Sequence, residues 1–146
     1  MPTSIVAYRK AYDQYSTYQL DAPEGSNELC TLDGVTYVAV PDATLLPAQP
    51  VQISAGIAVV VPDAVLASAI KAASPHVQLI DQRMREMIRA QYDLETELKF
   101  ARFAGGAAMG MYQPTVDEVN ELTVYGQFVE GIRQWGRAER AKLGLS

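Results

Sequence analysis

The sequence predicts an α+β protein, with an N-terminal arm and β-rich region over residues 1–73 and a mostly helical region over residues 74–146. Three observations predict it. Asp33-Gly34 joins two β-prone runs in ELCTLDGVTYVAV, and Asp-Gly suits the positive φ angles of a two-residue hairpin turn. From Val77 to Ala101, apolar residues recur in steps of three and four, the helical period. TVDE at 115–118 is a capping box, the signature of a reciprocally capped helix start.

The elements follow in order. Residues 1–27 are tyrosine-rich and end in the loop signal DAPEGSN. Tyr8, Tyr12, Tyr15 and Tyr18 are spaced for one stripe of a short helix, yet tyrosine and threonine equally suit strands or an extended arm docked on a partner. In the hairpin's second strand Val35, Tyr37 and Ala39 alternate with Thr36, Val38 and Val40. Both faces are therefore apolar enough to need cover. Pro41 ends the strand, and PDATLLPAQPVQIS reads as a proline-punctuated connection. AGIAVVV, 55–61, suits one more buried strand, and Pro62-Asp63 opens a short helix to Ala73 with the stripe Val65, Leu66, Ala69 and Ile70.

Ser74-Pro75 predicts the next start, serine as N-cap and proline at the first helical position. Val77, Ile80, Met84, Met87, Gln91, Leu94, Leu98 and Ala101 then make a heptad-like seam. Asp93 is placed to cap a second helix after a bend at Gln91–Tyr92. AGGAAMGMYQP predicts a stop and linker, with Gly105 or Gly106 in the left-handed position. The last helix runs from Thr115 to about Leu143. Acids at its start and Arg137, Arg140 and Lys142 at its end complement the helix dipole. Val119, Leu122, Val129 and Ile132 form its stripe, widened by Tyr125, Phe128 and Trp135. Gly126, Gly131 and Gly136 cost helix propensity, which suggests close approach by a neighbouring backbone.

Composition excludes several classes. The apolar fraction of 49% is ample for a core and argues against disorder. Seventeen acids against twelve bases, net −5, disfavour a nucleic-acid surface driven by bulk charge. A lone Cys30 allows no intrachain disulfide. The start MPTSIVAYRKAYDQ has no apolar signal-peptide core, and the longest apolar stretch is too short and interrupted for membrane insertion.

Candidate chemical groups read better as structure. His76 is the single histidine; with one cysteine and no HExxH or CxxC it cannot build a usual zinc site, so it reads as a first-turn residue facing solvent. Ser54 and Ser74 lack a nucleophile-elbow context. AGGAAMG lacks the GKS or GxGxxG of a phosphate loop. Glu95 with Glu97, or Asp117, Glu118 and Glu121, have the residue types of paired catalytic acids or a divalent-ion site, but acids at helix starts are commonplace. Cys30 needs an activating base and has His76 as its one candidate; a buried strand residue is the simpler reading. Arg83, Arg85 and Arg89 read as a solvated helix face, and Met84 and Met87 as seam packing. No catalytic, metal or cofactor-binding residue is predicted.

The segments IKAASPHVQLIDQRMREMIRAQYDLETELKFARF and YGQFVEGIRQWGRAERAKLGL, with LDGVTYVAVPDATLLPAQP, resemble small tail-region proteins of tailed bacteriophages and prophages. In those, a helix of the type I-R-x-x-Y-x-x-x-x-E-x-K precedes a terminal W-G-R-A-E-K-A-like helix. The corresponding residues here are Ile88, Arg89, Tyr92, Glu97 and Lys99, then Trp135, Gly136, Arg137, Ala138 and Glu139. The resemblance extends over roughly residues 29–146; the tyrosine-rich start and the AGGAAMGM linker depart from it. It implies a non-enzymatic virion protein of the tail or tail-fibre attachment region, made in the host cytoplasm, with other tail or tail-fibre proteins as partners. The rival is a tail-fibre assembly factor not retained in the virion. A small enzyme is a third class for which no reaction centre assembles. The expected interaction residues are Tyr8, Tyr12 and Tyr15 on the arm, Val77, Ile80, Met84, Met87, Leu94 and Leu98 on the seam, and Trp135. The expected assembly is an intrachain helical hairpin whose remaining apolar edge makes a homo-oligomer, a trimer if the chain belongs to a fibre.

Overall fold

The computed structural model describes residues 3–43 and 46–145. The chain is α+β. Its strands are β1 (Ser4–Tyr8), β2 (Ala11–Tyr12), β3 (Thr17–Tyr18), β4 (Asn27–Leu32), β5 (Val35–Val40) and β6 (Ala58–Val60); its helices are α1 (Val51–Ser54), α2 (Ala64–Ala73), α3 (Pro75–Gln91), α4 (Leu94–Ala108) and α5 (Val116–Lys142). Thr44 and Leu45, in the expected proline-punctuated connection, lie outside the described residues. The chain divides into two compact units: residues 1–80 with 138–146, and residues 81–137.

The first unit is built on an antiparallel sheet of order β4-β5-β1-β6. Asp33 at φ 50° and Gly34 at φ 80° make the turn between β4 and β5, as Asp-Gly predicts. Val6 pairs with Val38 and Ser4 with Val40, so Val6, Tyr8, Val38 and Val40 share a face. They form one core cluster with Ile53 of α1, flanked by Tyr18, Leu20 and Leu46. Ile5 and Ala39, paired on the opposite face, are also buried. A bulge between Glu28 and Cys30 shifts the register of β4 against β5, and the consecutive Leu29 and Cys30 are both buried, as in a sheet covered on both faces. α2 packs on β4 and buries Ile70. The C-terminal tail belongs to this unit: Leu143 and Leu145 are buried, and Gly144 turns at φ 74° against Ile5, where an added Cβ would stand 3.2 Å from Ile5 Cγ1.

Several expectations need correction here. The 55–61 strand shortens to β6 at the sheet edge, with its residues half-buried or exposed, and residues 51–54 of the expected connection are helical. Val65 lies on the outer side of α2: Asp63 opens the helix as expected, its carboxylate accepting from the Leu66 N–H at 2.8 Å, but the packed face runs through Leu66, Ala69 and Ile70. Ser74 does not cap α3 through its side chain: its Oγ is buried without a hydrogen-bond partner among the described residues. Its extended backbone, φ −75° and ψ 122°, is what a residue before proline requires, and that alone separates α2 from α3.

The second unit holds the rest of α3, all of α4 and most of α5. Asp93 caps α4 by accepting from the Thr96 N–H at 2.7 Å, so α3 and α4 are separate helices. α4 runs through Gly105 and Gly106, and Gly110, at φ 70°, takes the left-handed position instead. Gly106 lets Tyr112 approach the helix closely: an added Cβ there would stand 3.0 Å from Tyr112 Cβ. The capping box of α5 is complete: the Glu118 N–H donates to Thr115 Oγ1 at 3.2 Å and the Thr115 N–H to Glu118 Oε1 at 2.9 Å. Gly126 and Gly131 meet open space rather than a neighbouring backbone; Gly136 is buried.

Candidate functional site

The densest set of interacting polar and aromatic side chains lies in the second unit. The break at Asp93 ends α3 beside Tyr92 and restarts the helical phase. α4 therefore turns Thr96, Glu97, Phe100 and Phe103 inward and leaves Leu94 and Leu98 59% and 47% exposed. Tyr92 is the hub of the aromatic set. Its ring meets Phe100, Tyr125 and Phe128 edge-on, with centroids 6.0, 4.9 and 5.5 Å away. Edge-on contacts of this kind add roughly 0.5–1.5 kcal/mol each beyond area burial.

A polar clasp crosses the same cluster. Glu97 pairs with the Arg89 guanidinium at 3.1 Å and accepts a hydrogen bond from the Tyr125 hydroxyl at 2.8 Å. Arg89 also donates to the Tyr92 carbonyl at 3.4 Å. Desolvation, and then the bond to Glu97, raise the Tyr125 pKa above the ordinary phenol value, so the phenol stays protonated and keeps donating. Toward the linker, Phe103 stacks on Tyr112 at 5.7 Å, and Lys99 lies over the Phe100 and Phe103 rings at 5.8 and 5.7 Å. The Tyr112 hydroxyl donates to both oxygens of Glu118, at 2.6 and 2.8 Å. The backbone bond from Thr115, followed by the Tyr112 hydroxyl, holds the Glu118 carboxyl below the usual range.

These groups satisfy one another. Glu97 is committed to an arginine and a phenol, and Glu118 to a helix cap and a phenol. Both carboxylates therefore have structural partners in the helical framework. A groove of about 450 Å³, lined by Tyr92, Phe100, Val124 and the Lys99–Glu121 pair, opens on this cluster. In the first unit, burial and then Glu28 raise the Cys30 pKa, which favours the protonated thiol. Among the described residues, no three His, Cys, Asp or Glu side chains gather as a metal site.

The expected interaction residues separate into two kinds. Tyr8 is buried in the sheet, whereas Tyr12 and Tyr15 are 71% and 87% exposed. Asp13 holds them out: it accepts from the Tyr15 and Ser16 N–H groups at 2.8 and 2.7 Å and from the Tyr18 hydroxyl at 2.8 Å, closing the β2–β3 ribbon. Val77 and Ile80 are buried and Met84, Met87 and Trp135 half-buried, while Leu94 and Leu98 face out. The heptad-like steps thus join residues of two different faces, and Leu94, Leu98 and Ala101 do not extend the line begun by Val77 and Ile80. Sequence reasoning missed the clasp. Its signals were the aromatic i,i+3 pair in FARF and the eight-residue spacing of Arg89 and Glu97, which acquires meaning only across a helix break. Comparison with protein-family models, with curated proteins and with solved structures finds no match.

Proposed function

We propose that the chain is a non-enzymatic structural protein of a phage tail or tail-fibre attachment region, acting through contacts with other tail proteins and with copies of itself. One observation carries the reading. Arg89, Tyr92 and Glu97, three of the residues through which the sequence resembles that class, join in a single framework clasp with Tyr125. The motif thereby has an architectural use, which supports a structural role. The outward tyrosines of the β2–β3 ribbon support it further, since aromatic side chains fixed at low entropic cost are favoured anchors at protein interfaces. Mass spectrometry of gradient-purified particles is the test: the chain is expected in the virion. Its presence in lysate with particles free of it would move the function to a tail-fibre assembly factor.

A further inference from the structure

We infer that the outer face of α4 is a self-association surface, on which a second copy of this chain packs its own α4 antiparallel about a twofold axis. The face consists of Leu94, Leu98, Ala101 and Gly105, all exposed and spaced four, three and four residues apart, the a/d step of a helical seam. The opposite face of α4 is occupied within the chain by Phe100 and Phe103, so this seam is available.

The choice of a second copy rests on complementarity of charge and of shape. Glu95 and Arg102 lie seven residues apart on the same flank of the seam. Neither makes an ion pair among the described residues, and with Thr96 and Lys99 they line a shallow trough of about 300 Å³. In an antiparallel pair the same flank of each helix faces its counterpart. A twofold axis between Leu98 and Ala101 then sets Glu95 of one copy near Arg102 of the other, twice, with an axial offset of about 3 Å at 1.5 Å per residue. The other flank offers no repulsion: it carries Ala104 and Glu97, whose charge Arg89 already meets. The same register seats Leu94 over Gly105 of the second copy and Leu98 over Ala101. Large side chains meet small ones at every layer, and Gly105 has space, since nothing lies within 4 Å of an added Cβ. A parallel pair would set leucine against leucine and glycine against glycine, leaving a gap at one end. The inference deepens the proposed contact between copies by naming its surface, and it is read on the purified chain alone, so its failure is distinct from absence of the chain from particles.

Two leucines per copy make a small interface, so a dissociation constant of roughly 10 µM to 1 mM is expected. Sedimentation of the full chain over a concentration series tests it, with circular dichroism as the control for fold. The parent should pass from monomer to dimer. Glu95→Arg sets arginine against arginine at both ends and should weaken association about tenfold or more. Adding Arg102→Glu should restore the parent constant to within about threefold. Gly105→Leu fills the seat for Leu94 and should also weaken association about tenfold, while helicity holds or rises. A chain monomeric at about 1 mM, a trimer, a dimer indifferent to both Glu95→Arg and Gly105→Leu, or a double reversal that fails to restore association would each overturn the inference.

Discussion

The two units are held together by different means. The first has a dry core: Ile5, Val6, Leu29, Val40, Ile70 and Leu145 are essentially inaccessible to solvent, and they come from strands, a helix and the C-terminal tail. The second buries little completely. Phe100 and Ile132 are its buried large side chains, and around them lie half-buried aliphatic and aromatic side chains, Met84, Met87, Ile88, Leu122 and Val129 beside Tyr92, Tyr125 and Phe128, with the Glu97–Arg89 pair at the edge. Fully buried apolar side chains contribute about 1.5–3 kcal/mol each, whereas exposed ion pairs contribute about 0–1 kcal/mol. The difference teaches that one chain can hold one unit by complete apolar burial and another by partly exposed aromatic and polar contacts. Both units keep apolar side chains at the surface, Tyr12, Tyr15 and Val65 in the first and Leu94, Leu98 and Val124 in the second, but only in the second do they lie beside an interior with so little complete burial.

The comparison breaks first in the core. Leu29→Ala leaves a cavity in the dry unit and is expected to cost about 3–4 kcal/mol, read as a shift of the main denaturant transition. Phe100→Ala removes a larger side chain yet should cost no more, about 3 kcal/mol at the low end for phenylalanine, because its half-exposed neighbours can collapse into the space; a clearly larger cost than for Leu29→Ala would erase the distinction between the units. Smaller again is the clasp. Glu97→Gln keeps an acceptor for Tyr125 but removes the charge that meets Arg89, for about 1 kcal/mol, measured by chemical denaturation of the second unit's signals. A loss above about 3 kcal/mol would make the clasp a buried ion pair rather than a half-exposed one.

The acid limb sharpens the same contrast. Glu118 is depressed in the folded chain by the Thr115 N–H and the Tyr112 hydroxyl. Its contribution is therefore fully present above the unfolded carboxylate value and is lost as pH falls through the lower folded value. Asp93 at the α4 cap is depressed by its bonds to Thr96 and follows the same sign. Acid titration followed residue by residue should fray the starts of α4 and α5 before the sheet, and Glu118→Gln should flatten that dependence at α5. The smallest effect is expected at Ser74, whose buried hydroxyl lacks a partner among the described residues. Ser74→Ala should be neutral or stabilising within about 1 kcal/mol, and a clear loss would reveal a hydrogen bond there.

What was legible in the sequence was local chemistry. Asp33-Gly34 specifies its own turn, Asp63 and Asp93 cap the residues three positions on, and Thr115 with Glu118 closes a box within one helical turn; none needs the rest of the chain. What was not legible depended on phase. The three- and four-residue steps through Val77, Ile80, Met84, Leu94 and Leu98 continue unbroken on paper, but the stop at Tyr92-Asp93 resets the rotation, and Phe100 rather than Leu98 turns inward. Gly105 and Gly106 carry the usual stop composition, yet the helix continues to Ala108 and Gly110 takes the left-handed turn, with Gly106 leaving room for Tyr112. The tyrosine strands are two residues long, below the length at which any periodicity can be read.

The division of labour between a dry sheet unit and a thinly packed, aromatic-clasped helical unit is tested most directly by native-state hydrogen exchange. β1 and β5 should exchange only through global unfolding, while α4 and the 116–131 part of α5 open at a lower free energy, and Glu97→Gln should lower the second value and leave the first unchanged. A single protection limit shared by β5 and α4, moved equally by Glu97→Gln, would contradict the account.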